Sequence, residues 1–294
     1  MSEPSAQGAD ATERAGAAAA ALPVVLVPVD NTLDELDACL AALDRGLPRD
    51  ARVWLVDDAR AEPRLRAVID AWLARTPLSA DYSRRARPCG PVRLIAEAMA
   101  ACADDVVLID CDVCVAGQAV PRLAAALAAD RGIGTATAWC NAGEVAAWPR
   151  IGEINPPPDD ADALAEAAAA RAPRYPALPG AVPHAVALRH AAVAQAGGLD
   201  AETFGSLAAA LADLSQRLAG LGWRNVLCDD ALVVRGRESG MAEGDAVALA
   251  ARWPGLTPAV ARFLMDDPLR DARAALADAL QRQPPPGGQR DLFA

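Results

Sequence analysis

Short, continuously apolar runs alternate along the chain with amphipathic stretches. Val24-Val25-Leu26-Val27-Pro28-Val29 is apolar at odd and even positions alike, the pattern of a strand covered on both faces. Asn31-Thr32-Leu33-Asp34-Glu35 then supplies a Thr-x-x-Glu helix start, and Leu33, Leu36, Leu40 and Leu43 share one helical face until Gly46 and Pro48 end it. Residues 52–56 repeat the buried-strand pattern and stop at Asp57-Asp58, after which Leu65, Val68, Ile69, Trp72 and Leu73 mark a second helix. A third helix over residues 92–102 leads to Val106-Val107-Leu108-Ile109, a strand ending on Asp110-Cys111-Asp112. Strands alternating with helices predict an α/β fold with a mainly parallel sheet flanked by helices, and such sheets take ligands at the carboxyl ends of their strands. Both acidic groups fall at such ends.

Further along, the pattern is less regular. Residues 141–183 are rich in proline and acid, with one alanine helix near 160–171, and read as a long excursion over the ligand edge. A strand-like stretch at 182–188, the turn Gly197-Gly198-Leu199-Asp200, a helix over 207–218 and a strand near 224–228 complete a domain. Beyond Gly240, Leu264, Leu269, Leu276 and Leu280 suit a short helical C-terminal appendix. The expected division is a disordered N-terminal arm at 1–21, an α/β domain at 22–240, and the appendix with a flexible tail at 241–294.

Composition narrows the function classes. With 294 residues, 53% of them hydrophobic, the chain can bury a sizeable core. Its 28 basic residues are all arginine against 39 acids, and the net charge of −11 makes nucleic acid a poorly matched partner. Seven cysteines, an odd number and mostly inside apolar runs, fit reduced thiols and a cytoplasmic location. The polar, acidic start is unlike a signal peptide, and Pro23 and Pro28 interrupt the next apolar stretch, so no transmembrane segment is expected.

Asp110 and Asp112 flank one residue at a strand end, so both carboxylates can turn towards a cation that also holds a diphosphate. Oxygen ligands of this kind suit Mg²⁺ or Mn²⁺. Over roughly residues 22–237 the chain resembles the family-2 glycosyltransferases of the GT-A (Rossmann-like) fold. VVLVPVDN resembles the family's first strand, LVDDAR its Val-Asp-Asp-x-Ser, and LIDCD its Asp-x-Asp strand. GGLDAETFG is similar to Gly-Gly-Phe-Asp-Glu-x-Phe-Gly, and DLSQRLAGLGWR to Asp-Phe-x-Leu-Arg-x-x-x-x-Gly-Trp-Arg.

The resemblance implies that a nucleoside-diphosphate sugar, of UDP, GDP or dTDP type, gives its sugar to an acceptor hydroxyl on a glycan or lipid-linked molecule, in synthesis of a surface or secreted glycan. It implies that Asp58 contacts the base with Asp57 beside it, that Pro28 to Asp30 line the same base, and that Asp110 faces the ribose. Asp112, with Asp110, would hold the Mn²⁺ or Mg²⁺, and Arg93 would reach the pyrophosphate. The departures lie on the catalytic side. The acidic pair that carries the family's general base is Ala210 and Leu211 here, and the His after its last strand is replaced around Arg235-Gly236. His184 and Asp213 are the candidates for a displaced base, and Trp148 for a sugar platform. The alternative is a catalytically impaired member that binds a nucleotide or serves as scaffold for a partner glycosyltransferase.

Overall fold

The computed structural model describes residues 22–29, 33–59, 63–236 and 240–282. The arm expected at 1–21, Asp30, and the tail from 283 onward lie outside these residues. Eight strands form one sheet: β1 (Val24–Val29), β2 (Arg52–Asp57), β3 (Ser79–Arg84), β4 (Val106–Ile109), β5 (Val113–Val115), β6 (Ile133–Cys140), β7 (Ala185–Leu188) and β8 (Arg224–Arg235), in the order β3-β2-β1-β4-β7-β6-β8-β5. β3, β2, β1 and β4 pair in parallel, as do β6 and β8, while β7 and β5 run antiparallel to their neighbours. The expectation of a mainly parallel sheet with flanking helices holds.

The apolar runs explain the layering. Along β1, Val25, Val27 and Val29 enter one core with α1 (Leu33–Gly46) and α2 (Pro63–Leu73), while Val24 and Leu26 enter another with α3 (Pro91–Ala101). A strand with helices on both faces has no polar side to show. α4 (Ala119–Ala129) joins the first core; α6 (His190–Ala196) and α7 (Leu207–Gly220) join the second. α5 (Ala161–Ala169) packs its alanine face into a third core.

Past Gly240 come three helices, α8 (Glu243–Arg252), α9 (Leu256–Asp266) and α10 (Arg270–Gln281). They share the cores of the sheet: Leu249 belongs to the second, Leu269 and Leu276 to the third. None of the described helices is long and apolar enough to cross a membrane.

Three strands differ from the reading of the pattern. β3 is absent from it, because Ser79–Arg84 is a half-exposed edge strand whose backbone pairs with β2 while its side chains stay mostly polar. The strand expected at 224–228 runs on to Arg235, carrying Asp229 and Asp230 inside the sheet, both buried. Asp229 accepts the backbone N–H groups of Arg174 and Tyr175, and Asp230 pairs with Arg122 at 3.2 Å, so the two acids are satisfied where they would otherwise end a strand. β7 is shorter than the expected 182–188.

Candidate functional site

β1 lies between β2 and β4, and the ends of these three parallel strands open on one small cleft of about 250 Å³. Pro28 and Val29 form its floor, with Asp58 from the end of β2 and Asp110 from the end of β4 on either side. Pro91 and Ile95 of α3 and residues 205–208 before and within α7 complete the walls. The chain leaves β1 to one side for β2 and reaches β4 on the other, so this is the switch point of the sheet, the place where α/β folds bind ligands.

Asp58 is buried and acts as a clamp. Its two carboxylate oxygens accept the backbone N–H groups of Cys89 at 2.7 Å and Gly90 at 2.8 Å, pinning the turn that starts α3. Gly90 has a φ of 89°, a left-handed conformation that glycine takes without strain, and Pro91 follows as the first helical residue. Asp57, also buried, is not among the residues that line the cleft. It accepts the Tyr82 hydroxyl at 2.6 Å and faces Arg84 at 3.5 Å. Burial and then the Asp57 carboxylate push the Tyr82 phenol up to about 12, so it stays a donor.

The Asp110–Asp112 pair is engaged by an arginine from another strand. The register of β5 on β8 sets Arg235 opposite Val113, beside Asp112. Its guanidinium reaches the two oxygens of Asp112 at 2.8 and 2.9 Å and Asp110 at 3.3 Å. The Arg235 and Asp112 side chains are each 1% exposed, and that of Asp110 is 19% exposed. Burial lowers the guanidinium pKa, but Asp112 and Asp110 outweigh it and the charge is held more firmly than usual. A divalent cation bound here would need carboxylate oxygens that Arg235 already engages, so the described residues as they stand do not fit one. Among the described residues, no group of three or more His, Cys, Asp or Glu side chains could hold a metal ion.

The other expected residues stand apart from the cleft. Arg93 pairs with Glu202 at 2.5 Å and lines a neighbouring hollow with Asp200 and Arg252. His184 is fully buried and packs its ring against the carbonyl of Ala138, with Nε2 at 2.8 Å. A carbonyl only accepts, so Nε2 carries the proton. Burial pulls the ring to about 4 despite that bond, with Arg235 lowering it further, so His184 is neutral near pH 7. Its backbone carbonyl accepts the N–H of Asp110 at 3.1 Å and so steadies the end of β4.

Asp213 is equally buried. One oxygen accepts from Arg217 at 2.8 Å, the other from Trp253 at 2.8 Å and Arg252 at 3.1 Å, which ties α7 to α8. Ala210 and Leu211 are fully buried in the second core. Trp148 leans on the third core and borders a hollow with Asp267 and Arg273, away from the cleft. Arg235 as a partner of the acids leaves one local signal in the sequence, an arginine where the family carries a histidine.

A second hollow of about 390 Å³ adjoins the cleft and shares Pro183 and Ala208 with it. Val182, Ala212, Leu249, Trp253, Leu256 and Val260 make it apolar, with Glu144 and Thr257 at its edge.

A sequence model described as glycosyl transferase family 2 matches residues 24–194. No curated protein matches the chain. Among solved structures, GalNAc-T7 with UDP, GalNAc and Mn²⁺ superposes with a TM-score of 0.62 at 13% identity over 89% of this chain, and the chain spans 55% of GalNAc-T7. The mannosyltransferase PcManGT from Pyrobaculum calidifontis in complex with GDP-Man and Mn²⁺ gives 0.53 at 15% identity, covering 87% of this chain and 85% of its own. S. aureus TarS 1-349 in complex with UDP gives 0.51 at 14% identity, covering 88% and 70%. At such identities the likeness is one of fold, and the fold is GT-A. The matched stretch starts at β1 and takes in the strand ends that build the cleft, and on that match the chain belongs to glycosyl transferase family 2.

Proposed function

We propose that the cleft takes the nucleoside end of a nucleoside-diphosphate sugar, of UDP, GDP or dTDP type, and that the chain binds this donor as a family member whose transfer step is impaired. The observation that carries the reading is the meeting of Asp58 and Asp110 across Pro28 and Val29 at the switch point of the sheet. Asp58 keeps lone pairs beyond its two backbone bonds for the base, and Asp110, partly exposed, faces the ribose. Impairment follows from Ala210 and Leu211, neither of which accepts a proton and both of which are buried. In this role the protein serves as a cytoplasmic nucleotide-binding partner of a second glycosyltransferase in glycan synthesis.

A second reading, transfer of the sugar to an acceptor hydroxyl, is favoured by the apolar hollow beside the cleft. Its lining suits the hydrocarbon part of a lipid-linked acceptor better than a free glycan. Thermal shift with UDP, GDP and dTDP tests the donor site. A ligand at a hundredfold excess over its Kd adds about 2.7 kcal/mol, which raises Tm by several degrees. No shift with any of the three at millimolar concentration would overturn the donor assignment. Turnover with a matched donor and acceptor separates the two readings.

A further inference from the structure

We propose that Arg235 is the resident cation of the Asp110–Asp112 pair, closing it to divalent metals and making nucleotide binding by this chain independent of Mn²⁺ and Mg²⁺. Arg235 spans both carboxylates and, with the Asp112 side chain 1% exposed, its positive charge covers the buried carboxylate, so an incoming metal would meet the partly exposed Asp110, which the same guanidinium also engages. Mg²⁺ and Mn²⁺ are hard ions that favour about six oxygen ligands in near-octahedral array.

The backbone that presents the arginine is also fixed in place. Its backbone N–H donates to Asn141 Oδ1 at 2.9 Å, its carbonyl accepts from Asn141 Nδ2 at 2.9 Å, and Asn141 is itself tied to Asn155. The β5–β8 register fixes the same residue from the other side. Releasing the guanidinium would leave two carboxylates behind in a buried corner, while adding a dication beside it would bring like charges together.

Charge has a consequence for the ligand. A guanidinium carries one positive charge where a divalent cation would carry two, so Arg235 supplies less counter-charge to a pyrophosphate than a bound metal would. The metal arm of this inference stands apart from the proposed donor; only the nucleotide arm rests on it.

The test is direct Mn²⁺ binding to the whole chain, by electron paramagnetic resonance of free Mn²⁺ and by calorimetry. The wild type should show no saturable site at millimolar Mn²⁺, and UDP should bind equally in Mn²⁺ and in EDTA. Arg235→His and Arg235→Ala, by freeing the carboxylates, should gain a saturable Mn²⁺ site at least about tenfold tighter than any wild-type binding. Their melting temperature should rise with Mn²⁺ while that of the wild type stays put. A wild-type Mn²⁺ site that survives Arg235→Ala but disappears in Asp112→Asn would overturn the proposal, as would UDP binding that requires Mn²⁺. If the Arg235 variants do not fold, the wild-type Mn²⁺ titration decides alone: a saturable site overturns, its absence supports. If UDP binds in neither condition, the proposed donor falls while the Mn²⁺ titration still gives its answer.

Discussion

The guanidinium of Arg235 and the carboxylate of Asp112 meet at 2.8 and 2.9 Å, across 123 residues of chain, with both side chains 1% exposed. A pair so buried is costly to break from one side, because the remaining charge has neither water nor partner. Asp112→Ala should therefore lower the stability of the ligand-free protein by about 3–5 kcal/mol, as read by urea denaturation. The double variant with Arg235→Ala should lose less than the sum of the two single losses. Simple additivity would mean that the two groups do not depend on each other in solution.

Asp58 binds the turn before α3 and, in the proposed function, the base. Asp58→Ala should weaken nucleotide binding about tenfold or more, whether Mn²⁺ or EDTA is present, and should cost about 1–3 kcal/mol of stability through the unpaired N–H groups of Cys89 and Gly90. Calorimetry and thermal melts read the two effects separately. A variant that melts lower yet binds nucleotide unchanged would leave Asp58 only its structural role.

Ala210 and Leu211 predict slow chemistry. Transfer without a positioned base should run about 10²–10⁴-fold below an ordinary family rate, and turnover near 1 per second would instead favour the transferase reading. Ala210→Glu should fail to rescue it. The position is fully buried among apolar side chains, so a carboxylate there should cost on the order of 3 kcal/mol and be held in its neutral form.

Acid should destabilise the fold in two steps. Burial holds the folded His184 at about 4, against about 6.5 in an unfolded chain, so stability is complete above pH 6.5 and falls by on the order of 3 kcal/mol as pH drops to 4. Burial raises the Asp200 carboxyl, but hydrogen bonds from Arg252 and Thr203 outweigh it and bring it to about 2. Its contribution is present above pH 4 and is lost towards pH 2, on the order of 1–2 kcal/mol after allowance for solvent screening. Urea midpoints measured from pH 7.5 to 2 check both steps, and His184→Gln should flatten the first while leaving the second.

The sequence by itself determined the layered α/β plan and the place of the cleft. A strand covered by helices on both faces must be apolar in its buried run, so β1, β2 and β4 announce themselves, and the acids that end β2 and β4 mark where those apolar runs stop at the sheet's ligand edge. That information is local, carried by burial and period. β3 has no clear signature in the sequence because an edge strand is held by backbone bonds, which leave little trace in side-chain pattern.

Only the tertiary structure decided which charges meet. Asp213, expected as a possible base, is committed to Arg217, Arg252 and Trp253, and Arg93 to Glu202, because helix packing brought them together. Arg235 lies at the far end of a strand whose length depended on buried partners for Asp229 and Asp230. Its arrival beside Asp112 depends on the register between β5 and β8. Register between distant strands is a property of the whole sheet, and no local window of residues contains it.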